Sequence, residues 1–113
     1  MKWGDILTFT TGASLLDAVV LAIVSEENDG TYGYKITQDV QNVLEISEST
    51  LYPVLRRLQK NEYLDTYDRQ YDGRNRRYYK ITSQGEKQLE YYREEWKHYS
   101  DRISQCLKGE LGV

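Results

Sequence analysis

Proline is almost missing from these 113 residues. A single one, Pro53, leaves no room for the Pro-rich linkers that join independent modules. Cysteine is as scarce. Cys106 alone forms neither an internal disulfide framework nor a zinc site, which predicts a reduced, cytoplasmic setting and no metal. The one histidine, His98, lies eight residues before Cys106, on what reads as one helix but not on one face of it. With no Gly-rich phosphate loop, HExxH or nucleophile elbow, the chain is not expected to be an enzyme or to carry a cofactor. The carboxylates of "EEND" (26–29) read as a solvated helix end. The longest apolar run, Ala18 to Val24, has seven residues, where a bilayer needs about 20. No basic segment followed by an apolar stretch opens the chain, so no secretory signal is expected.

What is present is tyrosine, eleven of them, and a segregated charge. The length fits one domain, or one domain with an extension, large enough to bury a core without disulfides. The net charge of −3 hides a division. Residues 1–50 carry two basic and eight acidic side chains, residues 51–82 eight basic and four acidic, and residues 83–113 five basic and six acidic. Four of the eight arginines fall within "RQYDGRNRRYYK", Arg69 to Lys80. Such an asymmetry steers an anionic partner to one face of an acidic protein.

No internal repeat interrupts the chain. Residues 1–13 read as a loose arm. A helical pattern runs from Ser14 to about Glu27, with Leu15, Val19, Ala22 and Ile23 on one face and enough apolar residues elsewhere for burial on more than one side. Gly30 stops it. Thr31 is placed to cap a second helix to about Gln41, with Ile36 and Val40 facing inward. Ser47 is placed to cap a third, "ESTLYPVLRRLQKNE", whose inward face is Leu51, Val54, Leu55 and Leu58. Pro53 in its second turn removes one backbone bond. Two alternating, tyrosine-rich runs then flank "DGRN", as in a β-hairpin. Thr82 caps a long helix from about Ser83 to Leu107, which would span roughly 37 Å. Helix, helix, helix, hairpin, long helix is the plan of a winged helix-turn-helix. The fold expected is α+β and mostly helical, with a two-stranded wing and a long C-terminal helix.

"LLDAVVLAIV", "TYGYKI", "STLYPVLRRLQKNEYL" and "RRYYKITSQG" together resemble the PadR-like family of transcriptional regulators, from about Leu15 to Trp96. The length and the single long C-terminal helix resemble its short subfamily. The resemblance implies a winged helix-turn-helix DNA-binding domain over residues 1–82 and a C-terminal dimerisation helix over 83–113. It also implies dimerisation through that helix and the first one.

The wing would reach DNA with Arg74 and Arg76 flanking its tip and Asn75 between them. Arginine is always charged and forks onto phosphate, and it also suits a narrow minor groove. Gly73 permits the turn, and Arg69, Arg77 and Lys80 add charge along the strands. The bland alternative is a solvated hairpin whose arginines discourage edge-to-edge pairing. On the third helix, Ser47, Ser49, Thr50, Tyr52, Pro53, Arg56 and Lys60 occupy the positions that meet bases or phosphates in such a motif. Two roles are open to Arg56, guanine reading and phosphate binding. Tyr52 matches the tyrosine of the family's "TLYP", which implies a DNA-backbone contact; the alternative is packing against the wing. Tyr32 is placed to donate to a phosphate, and Arg57 to pair with an acid of the same chain.

Leu89, Tyr92, Trp96, Tyr99, Ile103 and Cys106 are spaced 3, 4, 3, 4, 3, an a/d seam that a second copy of the chain would cover. Tyr92, Trp96 and Tyr99 make it aromatic. Some family members stack flat ligands on a tryptophan at the position of Trp96, which implies an effector pocket for a small planar aromatic compound. The alternative is that Trp96 only fills the interface. His98 is one residue off the seam and exposed. The function these features imply is a dimeric repressor on a near-palindromic operator in double-stranded DNA, released by an aromatic effector, with no membrane association. The rival is a winged-helix adaptor that meets an acidic protein with its arginines.

Overall fold

The computed structural model describes residues 12–110. Helix α1, Gly12–Ser25, includes Gly12 and Ala13, which the sequence reading assigns to an N-terminal arm; the rest of that arm lies outside the described residues. Its buried apolar side chains are Leu16, Val20, Leu21 and Val24, whereas the face expected to point inward, Leu15, Val19, Ala22 and Ile23, is only partly covered. The helix is apolar around most of its circumference, so periodicity alone offers two faces, and the core takes one of them.

Strand β1, Thr31–Tyr32, corrects a second expectation. Thr31 does not cap a helix. Its backbone is extended because it pairs with Tyr79, as Tyr32 pairs with Tyr78, and the hairpin thereby becomes a three-stranded antiparallel sheet. Helix α2, Gly33–Gln41, starts one residue later than expected, with Tyr32 at its N-cap and Ile36 and Val40 fully buried. Helix α3, Glu48–Lys60, buries Leu51, Val54, Leu55 and Leu58, the predicted stripe, each worth about 2 kcal/mol of apolar transfer. Ser47 holds the N-cap backbone conformation, but its hydroxyl bonds to Ser49 Oγ (3.0 Å) and Thr50 Oγ1 (2.9 Å) instead of the helix N–H groups.

Strands β2, Leu64–Tyr71, and β3, Arg74–Ile81, pair along their full length from Leu64↔Ile81 to Tyr71↔Arg74. The loop between them is only Asp72-Gly73, both with positive φ (52° and 73°), the conformation that matches the strands' twist. The tip is thus tighter than expected. Arg74 and Asn75 belong to β3, and Arg76 lies two residues up that strand from Arg74, so Arg74 and Arg76 do not straddle the turn.

Helix α4, Ser83–Leu107, has its predicted limits and cap: Thr82 Oγ1 accepts from the Gly85 N–H at 2.9 Å. Thr82 also ties the helix to the sheet, donating its hydroxyl to the Glu62 carbonyl (2.6 Å) and its N–H to the Tyr63 carbonyl (3.1 Å). The first turns of α4 close the core with Leu89 and Tyr92, whereas residues 101–110 are all exposed.

Candidate nucleic-acid interface

Helix α3 presents its first turns to solvent. Ser47, Ser49, Thr50, Tyr52, Pro53, Arg56 and Lys60 are all exposed, opposite the buried stripe. The three hydroxyls of Ser47, Ser49 and Thr50 form one cluster at the helix start, where N–H groups without helical acceptors also point outward. Tyr52 is 37% exposed. Its ring rests on Gly33 at the start of α2, and its hydroxyl donates to Glu48 Oε1 at 3.2 Å. Burial and the neighbouring Glu48 carboxylate raise its pKa, so the hydroxyl stays a donor at neutral pH.

A groove of about 550 Å³ joins helix and hairpin. Tyr32, Gly33, Tyr34 and Tyr52 line one side, and Asn75, Arg76, Arg77 and Tyr79 the other. Of the wing residues in it, Asn75, Arg77 and Tyr79 lie on one face of β3 and Arg76 on the other. Period-two alternation with the observed pairing puts Asp65, Tyr67, Arg69 and Tyr71 of β2 on the same face as Arg74, Arg76, Tyr78 and Lys80 of β3. Tyr32 joins this face beside Tyr78, ring edge to ring face at 5.7 Å, and Tyr67 stacks on Tyr78 at 5.5 Å. Arg69 lies 5.0 Å from the Tyr78 centroid. The Arg76 guanidinium carbon lies 4.0 Å from the centroids of both Tyr32 and Tyr71. These ring contacts were not foreseen from sequence. The signal that could have found them is the parity of β2 and β3 about a two-residue turn.

Among the described residues, Arg69, Arg74, Arg76 and Lys80 have no acid within ion-pair distance, and neither do Arg56 and Lys60. Arg77 has only Asp68 at 4.0 Å, across two well-exposed side chains where such a pair contributes little. Other cations are engaged within the chain. Lys35 binds Glu27 (2.8 Å) and Asp39 (3.0 Å), first the Glu27 contact and then the Asp39 contact holding its pKa above the usual lysine range. Arg57 of α3 pairs with Asp17 of α1, the intramolecular role left open for it. Burial pushes the Asp17 carboxyl above its usual value, and Arg57 offsets this only in part. Among the described residues that precede α4, the cations left free are therefore on the outer side of α3 and on the wing, a surface suited to a polyanion.

The seam residues separate into two groups. Leu89 and Tyr92, expected at an interface between copies, are buried inside the protomer. Burial raises the Tyr92 pKa, and the hydroxyl lies near enough to Asp17 and Arg57 to feel both charges. Trp96 is 48% and Ile103 44% exposed, Tyr99 is half-buried with its ring 6.1 Å from that of Trp96, and Cys106 and His98 are exposed. Between α1 and α4 runs a second, almost wholly apolar groove of about 350 Å³, lined by Leu15, Ala18, Val19, Ala22, Tyr92 and Trp96 among others. The half-covered face of α1 is one wall of it.

Residues 20–91 match the model of the transcriptional regulator PadR-like family. Solved structures of similar architecture agree. One from Streptococcus mutans UA159 is 41% identical, with a TM-score of 0.82 over 90% of this chain and 94% of that one. A PadR-like transcriptional regulator from Bacillus cereus ATCC 14579 is 31% identical, with a TM-score of 0.76 over 85% and 94% of the two chains. A PadR family transcription regulator from Clostridium difficile R20291 is 28% identical, with a TM-score of 0.74 over 81% and 97%. Among the described residues no helix is long and apolar enough to cross a membrane.

Proposed function

The chain belongs to the PadR-like family of transcriptional regulators, which are DNA-binding winged-helix proteins and not enzymes, and on that premise we propose that it is a dimeric repressor released by a small aromatic effector. The observation that supports the DNA contact is the gathering of unpaired cations on the outer side of α3 and on the wing, with a groove between them that Tyr52 of α3 and Asn75, Arg76 and Arg77 of the wing line. In this reading Ser47, Ser49, Thr50 and Tyr32 donate to phosphates, Tyr52 keeps its hydroxyl at the rim, Arg56 and Lys60 extend along α3, and Arg74, Asn75 and Arg76 engage from the wing. The dimer forms through Trp96, Tyr99 and Ile103 of α4 and the apolar face of α1. A second copy laid over that face shields the apolar walls of the groove from water while leaving the groove itself as a cavity. Two protomers related by a two-fold axis carry two α3 helices and two wings, so the operator is near-palindromic with half-sites about one turn apart.

The effector occupies the groove beside Trp96. The path from there to DNA is short. Tyr92 lines the groove and neighbours the Asp17–Arg57 pair, and Arg57 belongs to α3. A ligand that shifts α4 against α1 therefore re-aims α3, a coupling of about 1–3 kcal/mol in typical allosteric proteins.

The test is fluorescence anisotropy with a mixed-sequence duplex across a salt series. The expected result is binding whose logarithm falls linearly with the logarithm of salt. Arg74→Ala combined with Arg76→Ala should weaken it about 10- to 100-fold, and the salt slope should become shallower because fewer phosphates are neutralised. Micromolar protein that shows no salt-sensitive binding would overturn the DNA reading and favour the adaptor that meets an acidic protein.

A further inference from the structure

The two arginines nearest the tip, Arg74 and Arg76, differ in what surrounds them. Arg74 is exposed directly after the turn, and among the described residues no ring lies against its guanidinium. Arg76 touches two rings at once, Tyr32 at the N-cap of α2 and Tyr71 at the end of β2, each centroid 4.0 Å from its guanidinium carbon. These distances fit a guanidinium with a ring toward each of its flat sides. Its N–H groups lie in its plane, so they are what a partner meets. The same contacts restrict a long, flexible side chain and strip water from the group before any ligand arrives.

We propose that Tyr32 and Tyr71 are positioning residues that present Arg76 edge-on to the acceptor atoms of a narrow, A·T-rich minor groove. Arg74 serves as an ordinary phosphate contact. The inference rests on the DNA reading above. A phosphate lies exposed on the DNA backbone and is reached by an exposed arginine such as Arg74, so it does not require a guanidinium held in place by rings. The floor of a narrow groove admits a flat, weakly hydrated group, and its negative potential is largest there. Tyr32 ties this arrangement to the rest of the protein, because it belongs to the strand that pairs with β3 and also starts α2.

The experiment compares full-length variants on fluorescein-labelled duplexes of about 30 bp, nearly three turns, one of mixed sequence and one with a central A·T tract. Tyr71 is 54% exposed at the wing end, so its replacement leaves the core intact. Tyr71→Phe should bind as the parent does. Tyr71→Leu should weaken binding to the A·T duplex about five- to tenfold, as removal of a cation–ring interaction implies, with an unchanged salt slope. Arg76→Lys should weaken binding as much as Arg76→Ala, because charge without a planar fork is not enough. Tyr32→Leu, scored only if its circular dichroism matches the parent, should weaken binding to the A·T duplex by the same factor relative to Tyr32→Phe, which removes only the hydroxyl and its phosphate contact and keeps the ring. Four results overturn the proposal: Tyr71→Leu binding like the parent, a weakening accompanied by a shallower salt slope, an equal weakening on both duplexes, or Arg76→Lys retaining affinity. A parent that fails to bind any duplex defeats the DNA reading itself, and that outcome is visible before any variant is made.

Discussion

The wing and the outer half of α4 both stand clear of the core, and their surfaces are opposite in kind. The wing is held by the pairing of β2 with β3 over eight residues and by β1 at its base, and what it exposes is mostly charge. Exposed arginines are comfortable in water, so the wing permits a partner without requiring one. Helix α4 beyond Trp96 satisfies its own backbone too, yet it exposes Trp96, Ile103 and, at 83%, Leu107 along one side. Apolar area left in water costs about 25 cal/mol per Å² relative to burial. A helix projecting with little cover is also marginal on propensity alone. The case for DNA therefore rests on where free cations are gathered, and the case for a second copy rests on apolar surface that one copy leaves uncovered.

The comparison breaks most completely at the root the two projections share. Gly85 lies in the first turn of α4, and a Cβ there would meet the Tyr63 carbonyl and the Ile81 side chain. Tyr63 immediately precedes β2, and Ile81 ends β3, so the clash is with the base of the wing. Gly85→Ala should cost about 3 kcal/mol of stability, since backbone cannot move aside as a side-chain end can. Urea unfolding measures it. A change below about 1 kcal/mol would show that α4 and the wing are not locked at this point.

A sharper cut separates the projections. Ile103→Glu changes a side chain the protomer leaves exposed, so the folded monomer should keep its melting behaviour. The proposed dimer should weaken at least about tenfold, the effect of placing an unpaired charge in an apolar contact. Sedimentation velocity across a concentration series reads this directly. Unchanged association would remove α4's outer half from the interface. Tyr92 is a poor choice for the same purpose, because it is buried within one protomer and its replacement disturbs folding and association together.

These distinctions were only partly legible in the sequence. The stripe of α3, the limits and cap of α4 and the existence of the hairpin follow from local spacing and turn chemistry, and such signals lie within a few residues of what they determine. Thr31 misleads because its partner, Tyr79, is 48 residues away, and a two-residue strand has no pattern of its own. The inward face of α1 misleads because nearly every candidate is apolar. Leu89 and Tyr92 fit an a/d seam by spacing, but spacing does not say which helix covers them, and here α1 of the same chain does. At the candidate interface, residue type was enough to pick out the arginines. It could not show that Arg57 is taken up by Asp17, or that Arg76 lies against Tyr32 and Tyr71, since both depend on elements meeting in space.

The smallest expected effect concerns the Asp17–Arg57 pair, which fastens α3 to the helix that α4 covers. Asp17 is nearly buried and Arg57 is 42% exposed, so the two ends of the pair are unequal. Burial holds the folded-state pKa of Asp17 above its usual 3.8 despite Arg57. The folded protein therefore binds more protons at this site than the unfolded chain as pH rises from about 3.8. The contribution of Asp17 to stability is full below that pH and declines as pH passes through the raised value. Asp17→Asn keeps the shape and one acceptor for Arg57 while removing the charge that burial penalises, and the exposed guanidinium stays hydrated. The variant should lie within about 1 kcal/mol of the parent at neutral pH, and it should gain relative to the parent as pH rises from about 3 to 6. Urea midpoints at the two ends of that range decide the matter. If the parent instead gains on the variant as pH rises, Arg57 more than repays the burial of Asp17, and the pair is a clamp between α1 and α3 in its own right.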